Sequence, residues 1–179
     1  EELEAAGDAL IELIDLMGVR YTIDGAYVGI PEGRFGLHMA WSGDLINSQY
    51  YWPEGSDISV TRYNWPGKSQ GSTVNGMISN DTMTVPKNAE RPVLAHNFIN
   101  FMLDETNSLE NFGWLGYQPP QVGLDTDTLV ADEWVPEFLA PAIVGPDDFA
   151  GDSVWVQGPL DPATEKAWSD QWNRATSGG

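Results

Sequence analysis

The sequence predicts an α/β fold, on three observations. Apolar residues recur at helical spacing near both ends and over Glu90–Asp104. Short runs without that period lie between: Phe35–Trp41, Asp57–Tyr63 and Asn75–Pro86. Strand-like and helix-like segments thus alternate, as in domains whose helices cover a sheet. The 179 residues suffice for one domain with a core, and 41% hydrophobic content with 11% aromatic is a globular composition.

Glu2–Met17 reads as an amphipathic helix. Leu3, Ala6, Leu10, Leu13, Ile14 and Met17 share one stripe opposite Glu4, Asp8, Glu12 and Asp15. Gly18 follows as its C-cap. Tyr21–Arg34 is glycine-rich and irregular, and Phe35–Trp41 (FGLHMAW) reads as a short buried strand. Ser42 is an N-cap for a helix running to Tyr50, which Pro53 ends. Asp57–Tyr63 (DISVTRY) alternates as a strand, and Asn64–Thr73 (NWPGKSQGST) is turn chemistry. Asn75–Pro86 (NGMISNDTMTVP) reads as a strand with Asp81 inside it. A carboxylate there is costly in a core and inexpensive toward water or a cation.

Glu90–Asp104 is a helix with Pro92 in its first turn and Leu94, Phe98, Phe101 and Met102 as a core stripe. Ser108–Leu115 is a shorter helix closed by Gly116, and Tyr117–Gln121 is held extended by Pro119 and Pro120. Asp125–Glu133 suggests a short helix. Pro136, Pro141 and Pro146 interrupt the stretch after it, and Pro162–Ala175 is a final amphipathic helix. No run is apolar for long enough to span a bilayer. The chain opens on Glu1-Glu2-Leu3 without Met or signal sequence, and is read as a processed chain or a fragment.

The formal charge of −19, from 27 acidic and 8 basic residues, opposes nucleic-acid binding, because phosphate is repelled. It attracts cations at long range, and it equally serves solubility alone. The absence of cysteine removes disulfides, thiolate zinc sites and cysteine nucleophiles. His38 and His96 lie far apart without an i,i+4 partner and read as structural, with no metal site. Tyr50-Tyr51 is the one pair that suggests ferric iron, and aromatic packing at a helix end explains it as well. No nucleophile elbow, phosphate-binding glycine loop, dinucleotide fingerprint or H-E-x-x-H occurs, so no enzymatic activity and no cofactor are expected.

The 8 Trp, 6 Tyr and 6 Phe stand out. Trp41, Trp52, Trp65, Trp114 and Trp155 fall at the ends of expected elements, where they suit either a cleft rim or an aromatic core. An aromatic face beside a carboxylate suits an alkylammonium: the ring attracts the cation and the carboxylate accepts its N–H donors.

Four stretches carry a family resemblance in order: Gly36–Gly43 (GLHMAWSG), Asn75–Pro86, His96–Asp104 (HNFINFMLD) and Phe112–Pro119 (FGWLGYQP). Together they resemble the extracytoplasmic solute-binding proteins of ABC transporters, in particular the spermidine/putrescine-binding group. The likeness runs from Glu2 to Ala175 and fades over Asp125–Asp152. It implies the C-terminal half of a two-lobe periplasmic-binding-protein-like (type II) fold. Residues 1–63 would be part of the second lobe, 64–118 the hinge crossing and part of the first lobe, and 119–179 second lobe with the C-terminal helix.

The resemblance also implies the site. Trp41 resembles a tryptophan packing on the polyamine chain, and Asp81 the carboxylate pairing with an ammonium. Tyr117 resembles a cleft tyrosine, and Gln157 a glutamine touching the ligand across an alignment gap. Ser79 belongs to the same set and departs from it, since the group carries an aromatic residue there and serine cannot stack. The implied partners are a small polyamine-like cation, a membrane permease, and the missing N-terminal segment or a second copy. The implied location is periplasmic or extracellular, membrane-anchored at full length. The alternatives are a ferric-ion or other small-solute binder of the same fold, or a non-catalytic structural domain.

Overall fold

Helices dominate the chain. A computed structural model describes residues 1–22, 25–67, 73–149 and 154–177. In order, the helices are α1 (Glu2–Met17), α2 (Ala26–Gly29), α3 (Ser42–Asn47), α4 (Pro92–Leu103), α5 (Glu105–Leu115), α6 (Thr126–Ala131) and α7 (Pro162–Thr176). Two short strands, β1 (Gly76–Met77) and β2 (Val154–Trp155), pair in parallel with Met77 opposite Trp155. The Ile78 amide extends this ladder by one bond to the Trp155 carbonyl, at 3.0 Å. The chain divides into two compact units, Glu1–Asp24 with Gln157–Gly179, and Gly25–Val156.

The first unit is an α1–α7 pair. α1 ends as its sequence requires: Gly18 turns left-handed at φ 61° and its N–H donates to the Ile14 carbonyl. Its inner side is not the expected stripe. Leu3, Gly7, Leu10, Ile11 and Ile14 are the shielded positions, while Ala6, Leu13 and Met17 are exposed. The cause is Gly7, the one buried residue of α1 among those described. A Cβ there would lie 2.6 Å from both Arg174 Nη2 and Gln171 Oε1, so α7 approaches along the glycine. Arg174 then pairs with Asp8 at 2.8 Å and donates to the Glu4 carbonyl.

The second unit is built around Leu45, Ile46, Phe112, Leu124, Leu129, Val135, Leu139, Ala142 and Ile143. α3, α5, α6 and the 3-10 turn Glu137–Ala142 supply most of this core. Phe112, Leu129 and Leu139 are fully shielded from water. Trp65 packs beneath Gly76, and its indole N–H donates to the Pro141 carbonyl at 2.9 Å. That satisfies the condition for burying a tryptophan. Trp65 is therefore a core residue, not a cleft-rim residue.

Three strand expectations are corrected. Phe35–Trp41 forms no strand, and Leu37 and Met39 are 83% and 92% exposed. Asp57–Tyr63 contains a 3-10 turn at Ile58–Val60, because the Asp57 carboxylate accepts from the Ser59 amide and closes a local turn instead. Asn75–Pro86 is a strand only at Gly76–Met77, so Asp81 lies beyond the strand and not within it. Short alternating sequences become strands only where a partner edge pairs with them. The turn expected at Asn64–Thr73 falls partly outside the described residues.

α4 departs from expectation differently. It forms within the expected Glu90–Asp104, at Pro92–Leu103, but none of its residues is buried. Phe98 and Phe101, expected in the core, are 56% and 57% exposed, and Val93 and Leu94 are exposed with them.

α7 begins at Asp161, whose carboxylate accepts from the Ala163 and Thr164 amides and from the Thr164 hydroxyl. These bonds hold the Asp161 carboxyl below its ordinary pKa. The folded value is depressed, so the cap contributes stability above the unfolded carboxylate value, about 4. That contribution is lost as pH falls through the lower folded value. Asp161→Ala is expected to lower the thermal midpoint at pH 7. The gap to the parent protein should close as melts are repeated at successively lower pH below about 4. A gap independent of pH would remove the capping role.

Candidate functional site

α5 ends at Gly116, left-handed at φ 76°, with its N–H donating to the Phe112 carbonyl at 2.7 Å. The absence of a side chain has a second use there. Gly116 lies against the Gly43 carbonyl and the Asn47 amide of α3, where a Cβ would collide with both. The next residue, Tyr117, lays its ring on Gly43, and a Cβ on Gly43 would sit 2.5–2.7 Å from three ring carbons. The tryptophan–glycine stretch and the G-Y-x-P stretch therefore meet glycine against glycine.

This contact fixes the surrounding chain. The Tyr117 hydroxyl donates to Asp44 Oδ1 at 2.8 Å. The Gln118 side-chain amide donates to the Val144 carbonyl and accepts from the Val144 N–H, both at 2.9 Å. Gln121 donates to the Leu103 carbonyl and to Ser108 Oγ, tying the end of the segment to the α4–α5 junction. Pro119 and Pro120 keep the stretch out of a helix, so its polar side chains supply the pairing its backbone lacks.

Trp41 is the residue before α3, in extended backbone at φ −64° and ψ 145°, and is exposed. It occupies the N-cap position expected of Ser42, and no side-chain cap forms there. Asp44, in the first turn of α3, suits the positive end of the helix. Ser79 and Asp81 follow the last bonded residue of the β1 ladder, Ile78, and both are exposed. Among the described residues no hydrogen bond or ion pair engages Asp81.

The electrostatics connect these groups. The Tyr117 phenol is pushed well above the ordinary tyrosine range. Partial burial is the largest cause, followed by the hydrogen bond to Asp44, the charge of Asp44 and the charge of Asp81. Asp81 is thus near enough for its charge to act on Tyr117. Of the expected site residues, Tyr117 is seated on Gly43 of α3, Trp41 is the residue before that helix, and Asp81, two residues after Ser79, acts on Tyr117 through its charge. Gln157 belongs to the other unit.

Sequence reading missed Asp44. It was visible as an acidic residue three positions after Trp41, but the tyrosine that makes it part of a site is 73 residues away. The two adjacent tyrosines face different neighbours: Tyr50 stacks near Trp114 at 6.4 Å between centroids, and Tyr51 meets Tyr27 at 5.1 Å. His38 lies edge-on to Phe35 at 5.0 Å, and His96 is exposed on α4. Among the described residues no group of three His, Cys, Asp or Glu side chains is arranged to hold a metal, and no helix is long and apolar enough to cross a membrane. No protein-family model, curated protein or solved structure matches the chain.

Gly43→Ala tests the glycine contact directly. The added methyl overlaps the Tyr117 ring, so the ring must leave or α3 must shift. The expected cost is about 1–3 kcal/mol in urea unfolding, together with a changed Tyr117 environment in near-ultraviolet circular dichroism. An unchanged spectrum and midpoint would show that the ring is not seated on α3.

Proposed function

We propose that the chain is part of an extracytoplasmic solute-binding protein of an ABC importer, with a two-lobe type II fold, and binds a polyamine or similar small organic cation. The observation that supports this reading is the seat of Tyr117 on α3, the helix that begins directly after Trp41, with the charge of Asp81 acting on the tyrosine phenol. The cation would pair with Asp81, and each charge-assisted hydrogen bond would contribute about 1.5–3 kcal/mol. Trp41 would cover the methylene chain and add about 0.5–2 kcal/mol through its ring face. Ser79 leaves room beside Asp81 where the resembled group carries a ring, which suits a ligand held from one side.

Two further features support the reading. A carboxylate without a partner is inexpensive where it faces water and can meet a cation, and Asp81 is exposed. The uncovered apolar side of α4 is what a helix belonging to the first lobe would show, with the rest of that lobe or a second copy as its cover. Ligand would shift an open–closed equilibrium between lobes, and a membrane permease would read the closed form. The location would be periplasmic or extracellular.

Calorimetric titration of the full-length protein with putrescine and spermidine tests the reading. Saturable binding of either is expected. Asp81→Asn should weaken it at least about tenfold, the equivalent of one charge-assisted bond, with an unchanged thermal midpoint. No heat from either amine would remove the polyamine assignment, and unfolding of the variant would make Asp81 structural.

A further inference from the structure

We propose that the core of the larger unit is latched by salt: the turn that ends α6 closes against the repulsion of its own carboxylates, and ions in solution relieve that repulsion. The inference is independent of the solute-binding reading and concerns a segment which that reading does not use.

The turn feeds the core. The Trp134 N–H donates to the Leu129 carbonyl at 2.9 Å and the Glu133 N–H to the Val130 carbonyl at 3.1 Å, the paired bonds of a Schellman ending. The Val135 N–H shares the Leu129 carbonyl at 3.1 Å. Trp134 is thereby set against α5, where a Cβ on Gly113 would lie 2.7 Å from its ring. Val135, the next residue, is buried among Leu129, Leu139 and Phe112. Such endings usually place glycine at the left-handed position. Here that position is Glu133, at φ 62°, the one non-glycine residue with positive φ among those described.

Charge opposes the same turn. Asp132 and Glu133 are adjacent, both exposed, and stand at the negative end of α6, whose last turn holds no basic residue. The acids at the other end are placed favourably, since Asp125 caps α6 and Asp127 lies in its first turn. Relief from within the chain is scarce. Residues 92–156 contain no Lys or Arg against eleven Asp or Glu, and they supply the core except for Leu45 and Ile46. Elsewhere in the unit, Arg34 pairs with Glu32, and Arg62 donates to the Ser59 and Thr61 carbonyls. Mobile ions are the remaining source of screening. The distance over which exposed charges act falls from about 30 Å at 0.01 M salt to about 3 Å at 1 M. The turn should therefore close more firmly as ionic strength rises, without an ion held at any one place.

Hydrogen exchange read by mass spectrometry tests this on the full chain, at fixed pH, in 0.01 M and 1 M sodium chloride. Amides in residues 124–143 should exchange about fivefold to tenfold more slowly in the higher salt. Tetramethylammonium chloride at equal ionic strength should act alike, because screening depends on charge and not on the identity of the ion. Asp132→Asn with Glu133→Gln removes both charges and keeps a side chain at the left-handed position. This double variant should be nearly as protected at 0.01 M as the parent is at 1 M, and should respond less than about twofold to salt. Glu133→Gln alone should fall between, and serves if the double variant does not fold. Asp127→Asn removes one charge from the favourable end and should gain no protection at low salt.

Exchange in the parent that is indifferent to salt would overturn the inference. An equal gain from Asp127→Asn would do so as well, by assigning the effect to the net charge of the unit instead of the turn. An effect of sodium that tetramethylammonium does not reproduce would replace screening with a bound ion, and would also overturn it.

Discussion

Gly116 leaves α5 in a conformation that most residues avoid, directly against a helix that admits no side chain at that point. Much of the larger unit depends on this approach. With Gly43 and Gly116 in contact, α3 and α5 bring Leu45, Ile46 and Phe112 into one core. The same contact leaves Tyr117 no place for its ring except across Gly43, which in turn delivers its hydroxyl to Asp44. Gln118 then anchors the departing chain at Val144. Packing and site geometry thus share one cause. A substitution at either glycine would disturb the core and the polar surface together.

How much the sequence discloses depends on how local each cause is. Helix ends are decided within a few residues, and Gly18, Gly116 and Pro92 mark theirs as expected. Strands are decided by partners elsewhere in the chain. Neither FGLHMAW nor DISVTRY pairs with an edge among the described residues, and in the second Asp57 offers its backbone a competing bond. The rotation of α1 was hidden for a similar reason, since apolar spacing points to the leucines while close approach occurs at Gly7. For the proposed site, Trp41, Asp81 and Tyr117 come from the resemblance alone. Asp44 was out of reach, because a hydrogen bond across 73 residues leaves no trace in spacing.

The acidity of the chain looks different once its carboxylates are located. Asp57, Asp104, Asp125 and Asp161 each accept from backbone amides at the start of a helix or turn. Asp8 meets Arg174, and Asp170 meets Lys166. These are local structural uses that explain part of the −19 charge without any ligand. Against that background Asp44 and Asp81 stand apart. Among the described residues neither accepts from a backbone amide, and the Tyr117 phenol on which both charges act is neutral, so only the N-terminal end of α3 offsets part of the Asp44 charge. Two such carboxylates near one neutral hydroxyl leave a local excess of negative potential, which a mobile cation from solution is suited to meet.

α4 gives the second independent constraint. Twelve residues is near the length at which an isolated helix is marginal in water, and most helical stability in proteins comes from burying an apolar face. α4 has the apolar face, in Leu94, Phe98 and Phe101, without the burial. Its attachment runs instead through its C-terminal end, where the Met102 and Leu103 carbonyls accept from Ser108 and Gln121. Such a helix is held in position but supplies little to the core of its own unit. Its sequence makes sense if another surface covers it. A two-lobe binder supplies one, because the chain that crosses between lobes leaves part of itself packed in a core built by other segments. The uncovered helix and the carboxylates acting on Tyr117 are separate observations, one apolar and one electrostatic. The proposed two-lobe binder, with a cation held between its lobes, would account for both.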